Sequence, residues 1–145
     1  CGKCFFLKET RSNVCNFCSD PKRDKATIAI IEKETDLLSL ESTGHFKGQY
    51  MILGELPERG VLETSHKLRL AKLKEIIQKE LDGKAKEIII ALAPNAFGDF
   101  VADLIKEEFK NVALKISRLG RGIPTGGEIE FADPETLIQA IERRN

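Results

Sequence analysis

Apolar residues along this chain alternate between short continuous runs and longer stretches with helical spacing. Residues 27–31 and 88–90 form apolar or β-branched runs without polar alternation, as central strands covered on both faces do. Leu70, Leu73, Ile77 and Leu81 instead recur at helical spacing. Strands are predicted at residues 27–31, 50–53, 87–92 and 113–118, and helices at 35–43, 70–81, 100–109 and 133–141. This alternation predicts an α/β fold with a mostly parallel sheet flanked by helices and joined by right-handed crossovers.

Capping and turn residues set the expected ends of these elements. Thr35 is a candidate N-cap for the first of these helices, and Gly44 is a natural C′ residue to stop it. Asp82 and Gly83 should end the next helix. Residues 54–60 are expected to form a loop, and residues 93–98, which include Pro94 and Asn95, a turn.

The first eighteen residues contain every cysteine of the chain, in two C-x2-C pairs: Cys1 with Cys4, and Cys15 with Cys18. Four thiolates from two such pairs suit the tetrahedral coordination of a structural Zn²⁺. A segment this short cannot bury a core of its own, so the metal would fold it. The alternatives are two disulfides or four free thiols, although a disulfide framework is normally spread through a small secreted fold. The pattern predicts one structural Zn²⁺ per chain.

Composition limits the kind of function that the chain can have. It has 145 residues, 41% of them hydrophobic, which is enough for one domain with an appended module. Lys and Arg together number 23, as do Asp and Glu, so no global positive field would attract nucleic acid and any DNA contact must be local. No secretory leader opens the chain and no apolar stretch approaches the ~20 residues of a membrane span, so we expect a cytoplasmic protein. Because a metal ligand at residue 1 would fray, we also expect further sequence before Cys1.

Three features occur together in the order of a known family: the paired cysteine motifs, the strand ending at Glu32, and the late tract 118–128, which reads RLGRGIPTGGE. In this combination the chain resembles the RecR family of bacterial recombination mediators over nearly all its length. The resemblance implies a Cys4 zinc finger at 1–25, a Toprim domain at 26–118 and a C-terminal arm at 119–145. It further implies a noncatalytic, ring-forming DNA repair protein of the nucleoid, which helps RecO and RecF to load recombinase on single-stranded DNA at gaps.

Members of this family normally begin with a helix-hairpin-helix region, which makes much of the DNA contact and one subunit interface. Nothing in this chain corresponds to that region. We expect that the chain is a fragment beginning at the first zinc ligand, rather than a lineage that lost the region.

The acidic positions of the Toprim domain decide between binding and catalysis. Catalytic Toprim domains hold Mg²⁺ with a glutamate after the first strand and an Asp-x-Asp after a later one. Glu32 occupies the first position here, but Phe97 stands where the family has a glutamate, and Asp99 is the one carboxylate that the later turn retains. We expect at most one weak Mg²⁺ or a partner contact at Glu32 and Asp99, and no catalysis. Two alternatives stay open: Asp99 as the cap of its helix, and a Mg²⁺-dependent nuclease or primase.

Basic residues flank two of these motifs. Lys22, Arg23 and Lys25 follow the second cysteine pair, and Arg118 and Arg121 frame the glycine-rich tract. We predict phosphate contacts for Lys22, Arg23, Arg118 and Arg121, with solvated surface charge as the ordinary alternative. Arg23 and Asp24 could instead form an internal ion pair that locks the finger to the sheet.

The glycines between residues 120 and 127 and the two histidines match no catalytic or binding motif. The glycines between residues 120 and 127 lack the spacing of a P-loop, and no Gly-Lys-Ser/Thr follows them, so we expect them to shape an irregular arm. His45 and His66 have no partner pattern and are expected at the surface.

Overall fold

The structure is a computed structural model that describes residues 1–8, 11–59 and 61–145. Its strands are β1 (Asp24–Ile31), β2 (Gly48–Ile52), β3 (Ala85–Ala91) and β4 (Ala113–Arg118). Its α-helices are α1 (Asn16–Ser19), α2 (Glu34–Ser42), α3 (Thr64–Glu80), α4 (Ala96–Phe109) and α5 (Pro134–Glu142), and a 3₁₀ turn spans Ile129–Phe131. The predicted α/β fold is confirmed.

All four strands are parallel and lie in the order β2-β1-β3-β4. Successive side chains of β1 point to opposite faces of the sheet, so Ile28 and Ile30 join the core under α3 and α4. Ala29 and Ile31 join a second core on the other face, with Leu37 of α2. The central strand is therefore buried on both faces, as its apolar run predicts.

Several element ends follow local chemistry, but α3 begins at Thr64, before the predicted residue 70, and α4 begins at Ala96, inside the predicted turn 93–98. Gly44 (φ +67°) and Gly83 (φ +86°) adopt the left-handed conformation just past α2 and α3, as expected for glycine at a helix C-terminus. The N-cap of α2 is Lys33 and not Thr35, because Glu34 is already helical. Gly60, the predicted end of the loop before α3, lies outside the described residues.

His66 lies in the interior and not at the surface as expected, since only 3% of this residue is exposed. Its Nδ1 accepts a hydrogen bond from the Glu63 backbone N–H (3.0 Å), and its Nε2 lies 2.9 Å from the Glu55 carbonyl oxygen. Both ring nitrogens therefore have hydrogen-bond partners in the backbone before α3, so burying this side chain leaves neither nitrogen unsatisfied.

No helix within residues 1–8, 11–59 and 61–145 is long and apolar enough to cross a bilayer.

Candidate metal centre and candidate phosphate site

The four cysteine sulfurs lie within 4.8 Å of one another. The Sγ atoms of Cys1 and Cys18 are 3.8 Å apart, and those of Cys4 and Cys15 are 3.5 Å apart. A tetrahedral ion with metal–sulfur bonds of about 2.3 Å places its sulfurs about 3.8 Å apart. A disulfide needs about 2.05 Å, and all four cysteines are free. The arrangement therefore fits one four-coordinate metal ion.

Backbone contacts close this cluster. The Cys15 N–H points at the Cys1 sulfur (3.3 Å), and the Gly2 N–H donates to the Asn13 carbonyl (2.9 Å), so the two cysteine pairs are held face to face. Cys4, Cys15 and Cys18 are all less than 9% exposed. A hydrogen bond from Cys18 lowers the pKa of the Cys4 thiol to about 6, although burial opposes the shift. Thiolates are the form of cysteine that metals bind.

The cysteine segment, described at residues 1–8 and 11–23, lies against the edge strand β2 of the sheet. The Ile52 N–H of β2 donates to the Cys4 carbonyl (3.0 Å), and the Gln49 side chain reaches the Phe17 carbonyl (3.4 Å). The Phe17 ring makes edge contacts with Phe6 (5.3 Å between centroids) and Tyr50 (6.2 Å). An exposed edge strand invites pairing with other chains, and the cysteine segment covers part of this edge.

Arg23 links the cysteine segment to α2 and β2. Its side chain is 9% exposed, and its guanidinium donates to the Glu41 carboxylate (2.5 Å) and to the Gly48 carbonyl (2.9 Å). It also lies over the rings of Phe17 (5.3 Å) and Tyr50 (5.7 Å), both distances that allow cation–π attraction. The alternative that paired Arg23 with Asp24 was wrong, because Arg23 forms its internal ion pair with Glu41 of α2. Asp24 instead caps the start of β1 through Ala26 and Thr27, and Lys86 lies 3.6 Å away.

Tyr50 completes this buried polar group by donating its hydroxyl to Glu41 (2.5 Å). Burial raises the pKa of Tyr50, and the carboxylate beside it raises it further. Partial burial pushes the pKa of Glu41 upward, yet the hydrogen bonds from Arg23 and Tyr50 outweigh this and leave it below its ordinary value. Sequence reasoning missed Glu41 and Tyr50, since neither belongs to a motif and their pairing depends on the fold.

The other two basic residues near the cysteines are exposed. Lys22 and Lys25 both project from the surface, and the Lys22 N–H donates to the Asp20 carboxylate (2.9 Å). The structure therefore separates these residues: Arg23 is committed internally, whereas the Lys22 ammonium is accessible. Phosphate contact at either stays a prediction, and the buried pairing of Arg23 favours its internal role.

Glu32 lies just past the carboxyl end of β1, as predicted. Its Oε1 accepts a hydrogen bond from the Leu56 N–H (3.0 Å), and its carbonyl accepts one from Gly54 (2.9 Å). The carboxylate therefore orders the loop after β2. Ligand sites of open α/β sheets concentrate at this edge, so a further role is compatible with the position.

Asp99 lies in the first turn of α4, where it binds two arginines. Arg118, the last residue of β4, donates to Asp99 Oδ1 (2.6 Å), and Arg121 donates to the same oxygen. These hydrogen bonds, the one from Arg118 first, lower the pKa of Asp99. Two predicted DNA contacts and one predicted acidic position thus meet in one cluster.

The cap of α4 is Asn95 and not Asp99. The Asn95 side chain accepts a hydrogen bond from the Gly98 N–H (2.9 Å), which satisfies one of the free donors at the helix start. Gly98 is required here, because a Cβ would lie 2.0 Å from the Ala93 carbonyl oxygen. The capping alternative for Asp99 was wrong, and its carboxylate is left for the arginines.

Comparison with known proteins decides the family. Residues 26–120 match the Toprim domain, and residues 122–145 match the family described as RecR, C-terminal. Proteins named recombination protein RecR are similar over almost the whole chain: that of Chlamydia muridarum is 39% identical over 145 residues, covering 100% of this chain and 70% of the relative. That of Myxococcus xanthus is 36% identical over 146 residues, covering 99% and 71%. The chain belongs to the RecR family.

Catalytic Toprim domains bind Mg²⁺ at the acidic positions that Glu32, Phe97 and Asp99 occupy in this chain. Among residues 1–8, 11–59 and 61–145, the cysteines form the only group of three or more metal-ligating side chains close enough to share an ion. Phe97 is 41% exposed on α4 and offers no ligand atom. Asp99 is already neutralised by two guanidinium groups. The noncatalytic interpretation rests on the relatives, which are named as recombination proteins.

Proposed function

We propose that this chain is a noncatalytic recombination mediator, which helps RecO and RecF to load recombinase on single-stranded DNA at gaps. The observation that carries this proposal is the similarity to RecR proteins over 99–100% of the chain. The absence of an acidic cluster among the described residues agrees with a binding function, because phosphoryl transfer needs metal ligands that these residues do not supply.

We further propose that the ion at Cys1, Cys4, Cys15 and Cys18 is Zn²⁺. Four sulfur donors favour a soft or borderline ion, and a closed Cys4 set is typical of structural zinc. The ion would fold the cysteine segment onto the edge of the sheet and would take no part in chemistry. Zinc finger, Toprim domain and arm would then occupy 1–25, 26–118 and 119–145.

Contact with DNA is proposed for Lys22, Arg118 and Arg121, whereas the contacts of Arg23 with Glu41 and Gly48 favour an internal role for that residue. Arginine and lysine donors suit phosphate oxygens, and such contacts position a strand without reading its sequence. Glu32 is proposed as a partner-docking or weak Mg²⁺ position. The working protein would be a dimer or tetrameric ring in the cytoplasm, at the nucleoid.

The first test is native mass spectrometry of the zinc-loaded chain, with and without single-stranded DNA and RecO, at two salt concentrations. Dimers or tetramers that retain RecO and DNA at low salt are expected. A monomer that binds neither would contradict the proposal for this chain. Phosphate contacts should weaken steeply with salt, which separates them from apolar association.

The enzyme alternative has its own test. Purified protein should show no Mg²⁺- or Mn²⁺-dependent cleavage or synthesis on single- or double-stranded substrates. Turnover that Glu32→Gln abolishes would overturn the noncatalytic interpretation.

A further inference from the structure

We propose that Arg118 and Arg121 form an oxyanion site for a DNA phosphate, and that the Asp99 carboxylate occupies this site in the free protein. DNA would then bind here by displacing Asp99 from the two guanidinium groups. The inference rests on the proposed function for the identity of the ligand, and adds an internal competitor that sets the affinity of the site.

The geometry is that of an occupied anion site. One nitrogen from each guanidinium converges on a single oxygen, Asp99 Oδ1. The two arginine side chains are 23% and 19% exposed, whereas Asp99 is 41% exposed. The anion is therefore the most accessible member of the cluster, and exchanging it requires no opening of the α/β core.

The charge balance favours a second anion over the first. Two guanidinium groups face one carboxylate, so the cluster keeps an excess of one positive charge. Each guanidinium has five N–H donors in a fork suited to two acceptor oxygens, and the described contacts commit one nitrogen of each to Asp99. A phosphate diester offers two unesterified oxygens in the matching geometry, and could therefore satisfy both forks better than one carboxylate oxygen does.

The surroundings leave room for a nucleic acid backbone. Arg118 and Arg121 line a cleft of ≈ 580 Å³ at the carboxyl ends of the parallel strands, together with Gly120 and Gly122, which present no side chain. Asp133 and Glu135 line the same cleft, and their charges oppose a phosphate. Asp133 is held as the N-cap of α5 by Thr136, and Glu135 accepts a hydrogen bond from Gln139 (3.1 Å). These hydrogen bonds pair neither carboxylate with Arg118 or Arg121. Asp99 is therefore the carboxylate that competes directly with a phosphate for the two arginines.

Fluorescence anisotropy with a labelled 30-nucleotide oligothymidylate tests the displacement. Asp99→Asn should bind about threefold to tenfold more tightly than the unsubstituted chain at low salt, because two guanidinium groups become free for phosphate. The salt dependence of log K should steepen by about one phosphate contact. Asp103→Asn removes the same charge from the exposed surface of the same helix, and should change affinity by less than about twofold. Glu135→Gln removes a charge from the cleft wall, and should give a smaller gain than Asp99→Asn.

Adding Arg118→Gln and Arg121→Gln to Asp99→Asn should abolish the gain. If Asp99→Asn gains no more affinity than Asp103→Asn, or if its gain survives loss of both arginines, the inference is overturned.

Binding of inorganic tripolyphosphate, followed through the arginine side-chain NMR signals, tests the oxyanion site separately from its ligand being DNA. Tripolyphosphate binding at Arg118 and Arg121 of Asp99→Asn without DNA binding by any variant would remove the DNA function but keep the oxyanion site. Binding of neither probe would overturn both.

Discussion

The two ends of this molecule are attached to the same sheet by opposite means. The cysteine segment buries three of its four cysteines, and packs the edge of the Phe17 ring against Tyr50 on the sheet. The arm, residues 119–145, contains no buried residue. Its link to the α/β domain includes the Arg121–Asp99 ion pair and a backbone bond from Leu119 to Ile90 (3.4 Å). Neither segment is large enough for a core of its own.

This difference indicates which of the two segments stays attached to the α/β domain. Desolvated side chains, and the metal ion that the four cysteines could hold, would stabilise the cysteine segment in a way that salt barely affects. The arm leaves Ile129, Phe131, Ile138 and Ile141 between 49% and 79% exposed, so apolar burial contributes little to its position. An exposed ion pair contributes less than about 1 kcal/mol and weakens with salt. The first end should behave as part of the domain, and the second as a segment that can move.

The largest expected effect comes from removing a thiolate. Structural zinc contributes on the order of 10 kcal/mol of folding free energy, so Cys15→Ser should release the metal and unfold residues 1–23 while the α/β core persists. Metal content and the thermal transition report the result. A variant that keeps bound zinc and an unchanged transition would contradict the metal-folded segment.

Phenylalanines in the two contexts give the next test. Phe109, at the end of α4, is 0% exposed, whereas Phe131 in the arm is 79% exposed. Phe109→Ala should lower the free energy of unfolding by about 3–5 kcal/mol, because it leaves a cavity in the core. Phe131→Ala should change it by less than about 0.5 kcal/mol. Urea unfolding measures both, and comparable losses would show that the arm is packed after all.

The sheet could be predicted well from sequence because its signals are local. The apolar runs at 27–31 and 88–90 are typical of buried strands, and the predicted strand at 113–118 matches the observed β4. Cysteine spacing likewise predicted a cluster that the structure assembles. Strand order could not be predicted, since it depends on contacts between distant segments.

The side-chain partners of the candidate site were the part that sequence could not supply. Arg23 was predicted to contact phosphate or, alternatively, to pair with its neighbour Asp24, but its partner in the fold is Glu41, eighteen residues away. The motif suggested that Asp99 binds Mg²⁺, contacts a partner or caps its helix. Its arginine partners lie on a strand and a loop about twenty residues later. His66 reads as a surface residue because nothing local shows that two backbone groups will satisfy its ring.

Arg23 gives a third test of the permanent attachment. Removing one partner of a fully buried ion pair costs about 3–5 kcal/mol, and because Glu41 stays 23% exposed we expect about 2–3 kcal/mol for Arg23→Gln. The control is Lys22→Gln, an exposed neighbour that should cost less than about 0.5 kcal/mol. Urea unfolding at constant zinc measures the two. Equal, small losses would mean that Arg23 does not fasten the cysteine segment.

The smallest effect concerns the arm and its dependence on pH. The folded pKa of Asp99 is lowered by Arg118 and Arg121, so its stabilising contribution is complete above the unfolded value of about 4 and is lost as pH falls through the folded pKa. Backbone hydrogen exchange in α5 should therefore accelerate relative to that in α4 below about pH 4, after correction for intrinsic rates. Asp99→Asn should show the faster α5 exchange already at pH 7, and 1 M salt should reproduce part of it in the unsubstituted chain. Exchange in α5 that is as slow as in α4 under all of these conditions would mean that the arm is held by more than this ion pair, and the contrast between the two ends would fail.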